Sequence, residues 1–285
     1  GRTTDTARGQ YVLNLTLPAV RDFVVDTLDG LLADNDIAYV KWDANRPMSQ
    51  VGAGRDVWVR HIEALYAIVT EVKQRHPGVL MEACASGGGR IDFGALGVFD
   101  DFWTSDNTDA LDRLDIQRAY SLVYPPQAMR AWVTDVPNFL SQRSIPLQFR
   151  FHSAMFGSLG VGCDLGKMSE DELATCAKHV AEYKALRPLM DQFHRLENPS
   201  SNDYRLFQYS SQEGAVLFAF LPQSRLGHTS TTVRLRGLDP SARYRFTHDW
   251  QQREVSGQYL MSRGIRLWLQ GDYASAVIRF DRVEH

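Results

Sequence analysis

Three short segments gather side chains able to move protons or form bonds. The first is Tyr39-Val40-Lys41-Trp42-Asp43-Ala44-Asn45-Arg46, an apolar run that ends abruptly in two cations, a carboxylate and an amide. A carboxylate beside a lysine and an arginine stays ionised near neutral pH, because nearby positive charge favours its charged form. That is the state a carboxylate nucleophile needs. The indole of Trp42 offers an apolar face on which a sugar ring can stack. The same residues also suit a structural ion pair at a strand end, and spacing alone leaves the two readings level.

The second segment is Asp101-Phe102-Trp103-Thr104-Ser105-Asp106-Asn107-Thr108-Asp109. Nearby aspartates raise one another's pKa, which suits a proton donor. Thr108 or Asp109 also suits the N-cap of a helix starting near Ala110. Asp109 is therefore expected to be mainly structural and Asp106 functional. A calcium loop does not fit, since its glycine and distal glutamate are missing. The third segment is Cys84-Ala85-Ser86-Gly87-Gly88-Gly89-Arg90. Its glycines let backbone approach a ligand closely and expose N–H groups. It has neither the Walker lysine-threonine pair nor the dinucleotide glycine spacing, so a phosphate cradle is a weak reading. Arg8 precedes the first apolar run and reads equally as a surface arginine. His152 shows no carboxylate partner and no metal-ligand spacing, and reads as a packed or hydrogen-bonded histidine.

The elements that must position these residues are short and repetitive. Apolar runs at Tyr11–Leu15, Ala38–Trp42, Val79–Ala83, Phe102–Thr104, Met129–Val133 and Ala154–Leu159 read as strands. Val20, Phe23, Val24, Leu28 and Leu31 repeat at helical spacing, as do Ile62, Leu65, Tyr66, Val69 and Val72. Pro18 sits where a helix start tolerates a missing N–H. Repeated β-α units imply parallel strands covered by helices. Asp43, Cys84 and Asp106 each follow a run, and polar residues at successive strand C-termini mark the catalytic face of a (β/α)8 TIM barrel. Six units are visible where eight are needed, and the first residues read as the middle of a longer protein. Two strands are thus expected to precede Gly1.

From about residue 200 the pattern alternates, in Tyr204–Tyr209, Ala215–Leu221, Thr231–Arg236, Arg243–Asp249, Arg266–Leu269 and Ser275–Phe280. That texture predicts an antiparallel β-sandwich. Glu197–Asp203 reads as a linker. The expected domains are therefore an incomplete α/β barrel at 1–196 and a C-terminal β-sandwich at 197–285.

Composition excludes several classes. The 285 residues carry a net charge of −3 and no basic stripe, which argues against nucleic acid and anionic membranes as partners. Three widely spaced cysteines make neither a disulfide framework nor a zinc pattern, and a reducing, cytoplasmic setting is expected. No apolar run has the length of a membrane span.

Taken in order, the three segments resemble glycoside hydrolase family 36, the microbial α-galactosidase (melibiase) family. The resemblance rests on Lys41 to Arg46, Cys84 to Arg90 and Trp103 to Asp109. It extends through Pro125, Val136-Pro137-Asn138, Gly157–Gly160, Gly257–Met261 and Gly271-Asp272-Tyr273, essentially the whole chain. It implies a retaining hydrolase of terminal α-galactosides such as melibiose or raffinose. Asp43 would be the nucleophile and Asp106 the acid/base, with carboxyl groups roughly 5–5.5 Å apart. Lys41 and Asn45 would bind sugar hydroxyls. Cys84 and Gly87 would line the pocket at the sugar 2-position, and Arg8 would match a sugar-binding arginine. Trp42, Ser86 and Asp109 complete the set of substrate-binding candidates. No metal or organic cofactor is implied, and the full-length form is expected to be a homo-oligomer.

The chain departs from the family in two respects. The segments that read the galactose 4- and 6-hydroxyls fall outside it, and so does the large N-terminal β-domain. Trp132 stands where many members have histidine, with Asp135 following, which puts leaving-group preference in question. The alternatives are galactosyl transfer, action on α-N-acetylgalactosaminides, or an inactive carbohydrate-binding fragment. The Cys84/Gly87 pocket argues against a bulky acetamido group, and a nucleotide-binding α/β protein rests only on the glycine run.

Overall fold

The structure, a computed structural model, describes residues 6, 9–49, 51, 56–196, 203–225, 230–248 and 251–283. Arg8 and residues 197–202 of the expected linker lie outside the described residues. The chain divides into two compact units, Gly1–Asp106 with Ala128–Arg130, and Asn107–Gln127 with Ala131–His285.

In the first unit, helices α1 (Pro18–Asp34), α2 (Val57–Arg75) and the single turn α3 (Phe93–Leu96) alternate with strands β1 (Tyr39–Trp42), β2 (Leu80–Ala83) and β3 (Asp101–Trp103). Pro18 is at the start of α1 as expected, where its missing N–H leaves no intrahelical bond unmade. The 3.6-residue period of α2 buries Leu65, Ile68, Val69 and Val72 on one face. The strands run parallel. Lys41 stands opposite Glu82, Glu82 opposite Asp101, and Trp103 opposite Arg130 at the start of β4 (Met129–Val133). Side chains alternate across a strand. Val40, Trp42, Met81, Ala83 and Phe102 therefore share one face and join the apolar cluster built by α1 and α2. Tyr39, Lys41, Glu82, Asp101 and Trp103 project from the other face.

The second unit holds α4 (Ala110–Tyr120), the rest of β4 beside β5 (Ser158–Val161), α5 (Leu147–Met155) and α6 (Glu170–Leu186). Its antiparallel strands are β6 (Gln192–Leu196), β7 (Arg205–Ser210), β8 (Gly214–Leu221), β9 (Ser230–Val233), β10 (Arg243–His248), β11 (Gln251–Ser256), β12 (Ile265–Trp268) and β13 (Ala274–Val283), with α7 (Gly257–Ser262) before β12. Six form a sheet in the order β11-β10-β13-β8-β7-β6, and β12 pairs with β9. Every residue of β8 is buried, as befits a central strand covered on both faces. One face contributes Leu217, Ala219 and Phe280 to a cluster shared with Val233, Ile265 and Leu267 of the two-stranded sheet. On the other, Phe149 of α5 meets Phe220 edge to face at 5.3 Å, and Tyr209 Oη donates to Phe156 O at 2.7 Å. Within this unit α5 packs on the antiparallel sheet.

Several elements differ from expectation, each for a local reason. Tyr11–Leu15 forms no strand. Asn14 Oδ1 accepts from Thr16 N at 3.1 Å and from Thr16 Oγ1 at 2.7 Å, which turns the chain. Phe23 and Leu31 are exposed, since the buried stripe of α1 runs through Val25 and Leu32. The run Ala154–Leu159 is helix up to Met155, and β5 starts at Ser158. A helix buried all round, as α5 is from Phe149 to Met155, shows no polar face by which to read its period. The strand β11 is mostly exposed and rich in Gln, Arg and Glu, so it lacks the alternation that identifies strands. The three cysteines are free. No helix among the described residues is long and apolar enough to cross a membrane.

Truncating Leu65, which is 2% exposed, to alanine is expected to cost about 2–5 kcal/mol in chemical denaturation. Phe23→Ala, at a residue 62% exposed, is expected to stay within about 0.5 kcal/mol of the parent.

Candidate active site

The parallel ladder continues one residue past β1 and β2. Cys84 N donates to Trp42 O at 2.9 Å and Ala44 N to Cys84 O at 3.1 Å, which brings Asp43 beside Cys84. The Asp43 carboxylate accepts from Asn45 Nδ2 at 2.6 Å, and Ser86 Oγ in turn donates to Asn45 Oδ1 at 3.2 Å. Partial burial pushes the Asp43 pKa up. Hydrogen bonds from Asn45, the Cys84 thiol and the Ala44 N–H, with the Lys41 charge, outweigh it and hold the carboxyl below its usual range. Burial first, and then the bond to Asp43, pushes the Cys84 thiol up to about 11, so it remains a protonated donor near neutral pH.

Asp106 follows β3 and is solvent-exposed. Trp103 Nε1 donates to its Oδ1 at 2.9 Å. The glycine run closes on this loop. Gly87 has φ +81°, and a Cβ there would stand 3.1 Å from both Asp106 N and Ser105 Cα. At Gly88 a Cβ would meet Thr104 O at 2.7 Å. The glycines thus permit one loop's backbone to approach its neighbour, where close approach to a ligand was expected. Two inter-strand spacings of about 4.8 Å separate the backbones that carry Asp43 and Asp106. Both acids are exposed at strand C-terminal ends, with Cys84 and Gly87 on the strand end between them.

Other candidates fall where their elements dictate. Lys41 sits 3.1 Å from Glu82 Oε1, with its ammonium 4.3 Å from the Trp103 ring centroid. Trp42 packs against the α1–α2 cluster. It also lines, with Asp43, Asn45, Arg46, Tyr11 and Leu13, a cleft of about 190 Å³ beside β1. Trp42 is therefore not the aromatic neighbour of Lys41; Trp103 is, because strand alternation turns consecutive residues to opposite faces. In the second unit, Asp109 caps α4. Its Oδ1 accepts from Leu111 N at 3.0 Å, Asp112 N at 3.1 Å and Arg143 Nη1 at 2.9 Å, and its Oδ2 accepts from Ser141 Oγ. At 1% exposure, with both oxygens occupied, Asp109 holds local structure rather than facing a ligand.

His152 Nδ1 lies 2.9 Å from Ser275 Oγ, and its ring meets that of His179 edge to face at 5.2 Å. His179 Nδ1 in turn lies 3.1 Å from Glu182 Oε2. Burial, and then the neighbouring His179, push the His152 pKa down to about 4, so it is neutral near pH 7. The packed, hydrogen-bonded reading fits it, with a carboxylate one ring away that spacing did not reveal. Buried Glu82 and Asp101 form, with the half-buried Arg130 and the exposed Tyr39, a further network on the strands that carry the first site. Its signals in the sequence are Glu82 and Arg130, each a charge in the middle of an apolar run.

The chain can be set beside known proteins on this geometry. Residues 1–192 match the melibiase family, and residues 205–280 match the glycosyl hydrolase family 36 C-terminal domain. The chain is 39% identical over 276 residues to a probable alpha-galactosidase C of Aspergillus flavus, covering 95% of this chain and 36% of that protein. It is 34% identical over 295 residues to alpha-galactosidase AgaA of Geobacillus stearothermophilus, covering 99% of this chain and 40% of that protein. The crystal structure of AgaA superposes with a TM-score of 0.91 at 34% identity, again over 99% of this chain and 40% of the other. A variant of AgaA has been solved in complex with raffinose, and another with stachyose. The chain thus spans well under half the length of these relatives. The parallel strands with their helices correspond to part of a TIM barrel, and the antiparallel sheets to a C-terminal domain. The resemblance carried by the three motifs holds along both matched segments, and the chain belongs to the melibiase family, glycoside hydrolase family 36.

Proposed function

We propose that the protein containing this chain is a retaining α-galactosidase, releasing terminal α-D-galactose from oligosaccharides of the melibiose and raffinose type. The observation that carries this reading is the placement of Asp43 and Asp106 at the C-terminal ends of β1 and β3, on either side of the Cys84–Gly87 loop. Complexes of a family relative with raffinose and stachyose support the substrate class. The chain's division is proposed near Glu197, between the barrel portion and a C-terminal β-sandwich.

In the first step, Asp43 attacks the anomeric carbon while the glycosidic C–O bond breaks, and Asp106 gives its proton to the departing oxygen. A galactosyl-aspartate ester results. In the second step, Asp106 takes a proton from water, the water oxygen bonds the anomeric carbon, and Asp43 leaves as a carboxylate. Two inversions retain the configuration. The donors around Asp43 favour its ionised form and so keep it nucleophilic. In this reading Lys41 and Asn45 bind sugar hydroxyls beside it, and Cys84 with Gly87 close around the 2-position. Two carboxylates and water suffice for this chemistry.

Asp106→Ala in the full-length protein is expected to lower kcat on raffinose by about 10²–10⁴-fold. Asp43→Ala is expected to abolish turnover of an aryl α-galactoside, and normal turnover by that variant would remove Asp43 from the nucleophile role. Asn45→Ala deletes a donor that depresses the Asp43 pKa. That pKa must then rise, so the acidic limb of the kcat/KM profile is expected to move to higher pH. An unmoved limb would show that Asn45 does not tune the nucleophile.

A further inference from the structure

Glu82 takes no part in the steps above, yet it is a fully buried carboxylate in the middle of β2. Burying a charge costs several kcal/mol unless it is paired, and each oxygen of Glu82 faces a cation, although Oε1 makes no hydrogen bond. Lys41 Nζ lies 3.1 Å from its Oε1, Tyr39 Oη donates to its Oε2, and Arg130 Nε stands 3.8 Å from Oε2. Asp101 completes the group, accepting from Tyr39 Oη at 3.1 Å and pairing with Arg130. Two carboxylates thus face two cations on one side of the strand layer, a consequence of Lys41, Glu82 and Asp101 being in register.

Lys41 is the member of this group that reaches the site. A lysine ammonium is a compact charge on a flexible stem and stays where its counter-ion holds it. Held by Glu82, it lies over the Trp103 ring at 4.3 Å, and the Trp103 N–H binds Asp106 at 2.9 Å. The same ammonium adds its positive charge beside Asp43.

We propose that Glu82 is a positioning residue that, through Lys41 and Trp103, holds the proton-donating carboxyl of Asp106 in its working orientation. The inference rests on the assignment of Asp43 and Asp106 made above. A purely structural Glu82 would support the sheet and affect every substrate alike. A residue that positions the general acid affects substrates in proportion to how much their leaving group needs a proton. The alkoxide of raffinose needs one, and a dinitrophenolate does not.

The test compares kcat/KM for raffinose and for dinitrophenyl α-galactoside in the full-length protein. Glu82→Gln keeps the side chain's size and removes its charge. It is expected to lower the raffinose value about 10²-fold more than the dinitrophenyl value, the scale of a misplaced catalytic group. Trp103→Phe keeps a ring beneath Lys41 but removes the N–H, and is expected to show the same selective loss. Equal losses on both substrates, or no loss, in Glu82→Gln would overturn the proposal. Should that variant fail to fold, Trp103→Phe decides alone: a loss independent of leaving group breaks the link to Asp106 and overturns the proposal. Wild-type protein inactive on both galactosides would instead sink the α-galactosidase reading, so the two failures are distinguishable.

Discussion

Register between three parallel strands decides where both the core and the chemistry of the first unit lie. Lys41, Glu82 and Asp101 are neighbours across β1, β2 and β3, while Val40, Met81 and Phe102 turn to the helices. Because side chains alternate with period two, a slip of one residue in any strand would exchange these sets. Depending on the strand, it would drive Lys41, Glu82 or Asp101 into the α1–α2 cluster and turn apolar side chains to the polar face. The apolar face therefore enforces the polar one. The packing of Leu65, Val69 and Val72 against the sheet fixes, at one remove, which residues stand at the strand ends.

The two acids are supported differently. Asp43 is gripped locally, by an amide two residues away, a thiol on the next strand and the next backbone N–H, all of which favour a carboxylate. Asp106 is held by an indole N–H three residues back, on a side chain pressed under a cation. Around Asp43 the donors tune charge. Around Asp106 the single aromatic partner fixes direction, and the buried ionic group beneath gives that partner a fixed surface to lie on. The glycines at 87 and 88 serve both, since only a loop without side chains can press so closely against the backbone from Thr104 to Asp106.

Much of this was legible in the sequence where local chemistry and periodicity agree. The strands at Tyr39–Trp42, Leu80–Ala83 and Met129–Val133 end close to where their apolar runs end, and the helical period of α2 names its buried face. The motifs around Asp43, Cys84 and Asp106 stand out because polar residues follow apolar runs without transition. What escaped was whatever depends on a partner remote in sequence. Tyr11–Leu15 has a strand's composition, but its backbone turns at Asn14 instead. Trp42 adjoins Asp43 in sequence and lines the same cleft, but its packing on the α1–α2 cluster is a contact that no local pattern names. Asp109 caps α4 as its motif predicts, but its other partners, Ser141 and Arg143, are remote in sequence. Arg143 follows it by more than thirty residues, a pairing that no local pattern announces.

Trp103 has one more consequence. It is 4% exposed, with an ammonium over its ring and a carboxylate on its N–H. Indole emission responds strongly to charges placed along and across the ring, so this residue is a built-in optical gauge of its surroundings. The fluorescence lost on replacing it with phenylalanine isolates its signal from those of the other tryptophans. That difference spectrum isolates the one indole that lies between the Lys41 ammonium and the Asp106 carboxyl, with no label attached to the protein.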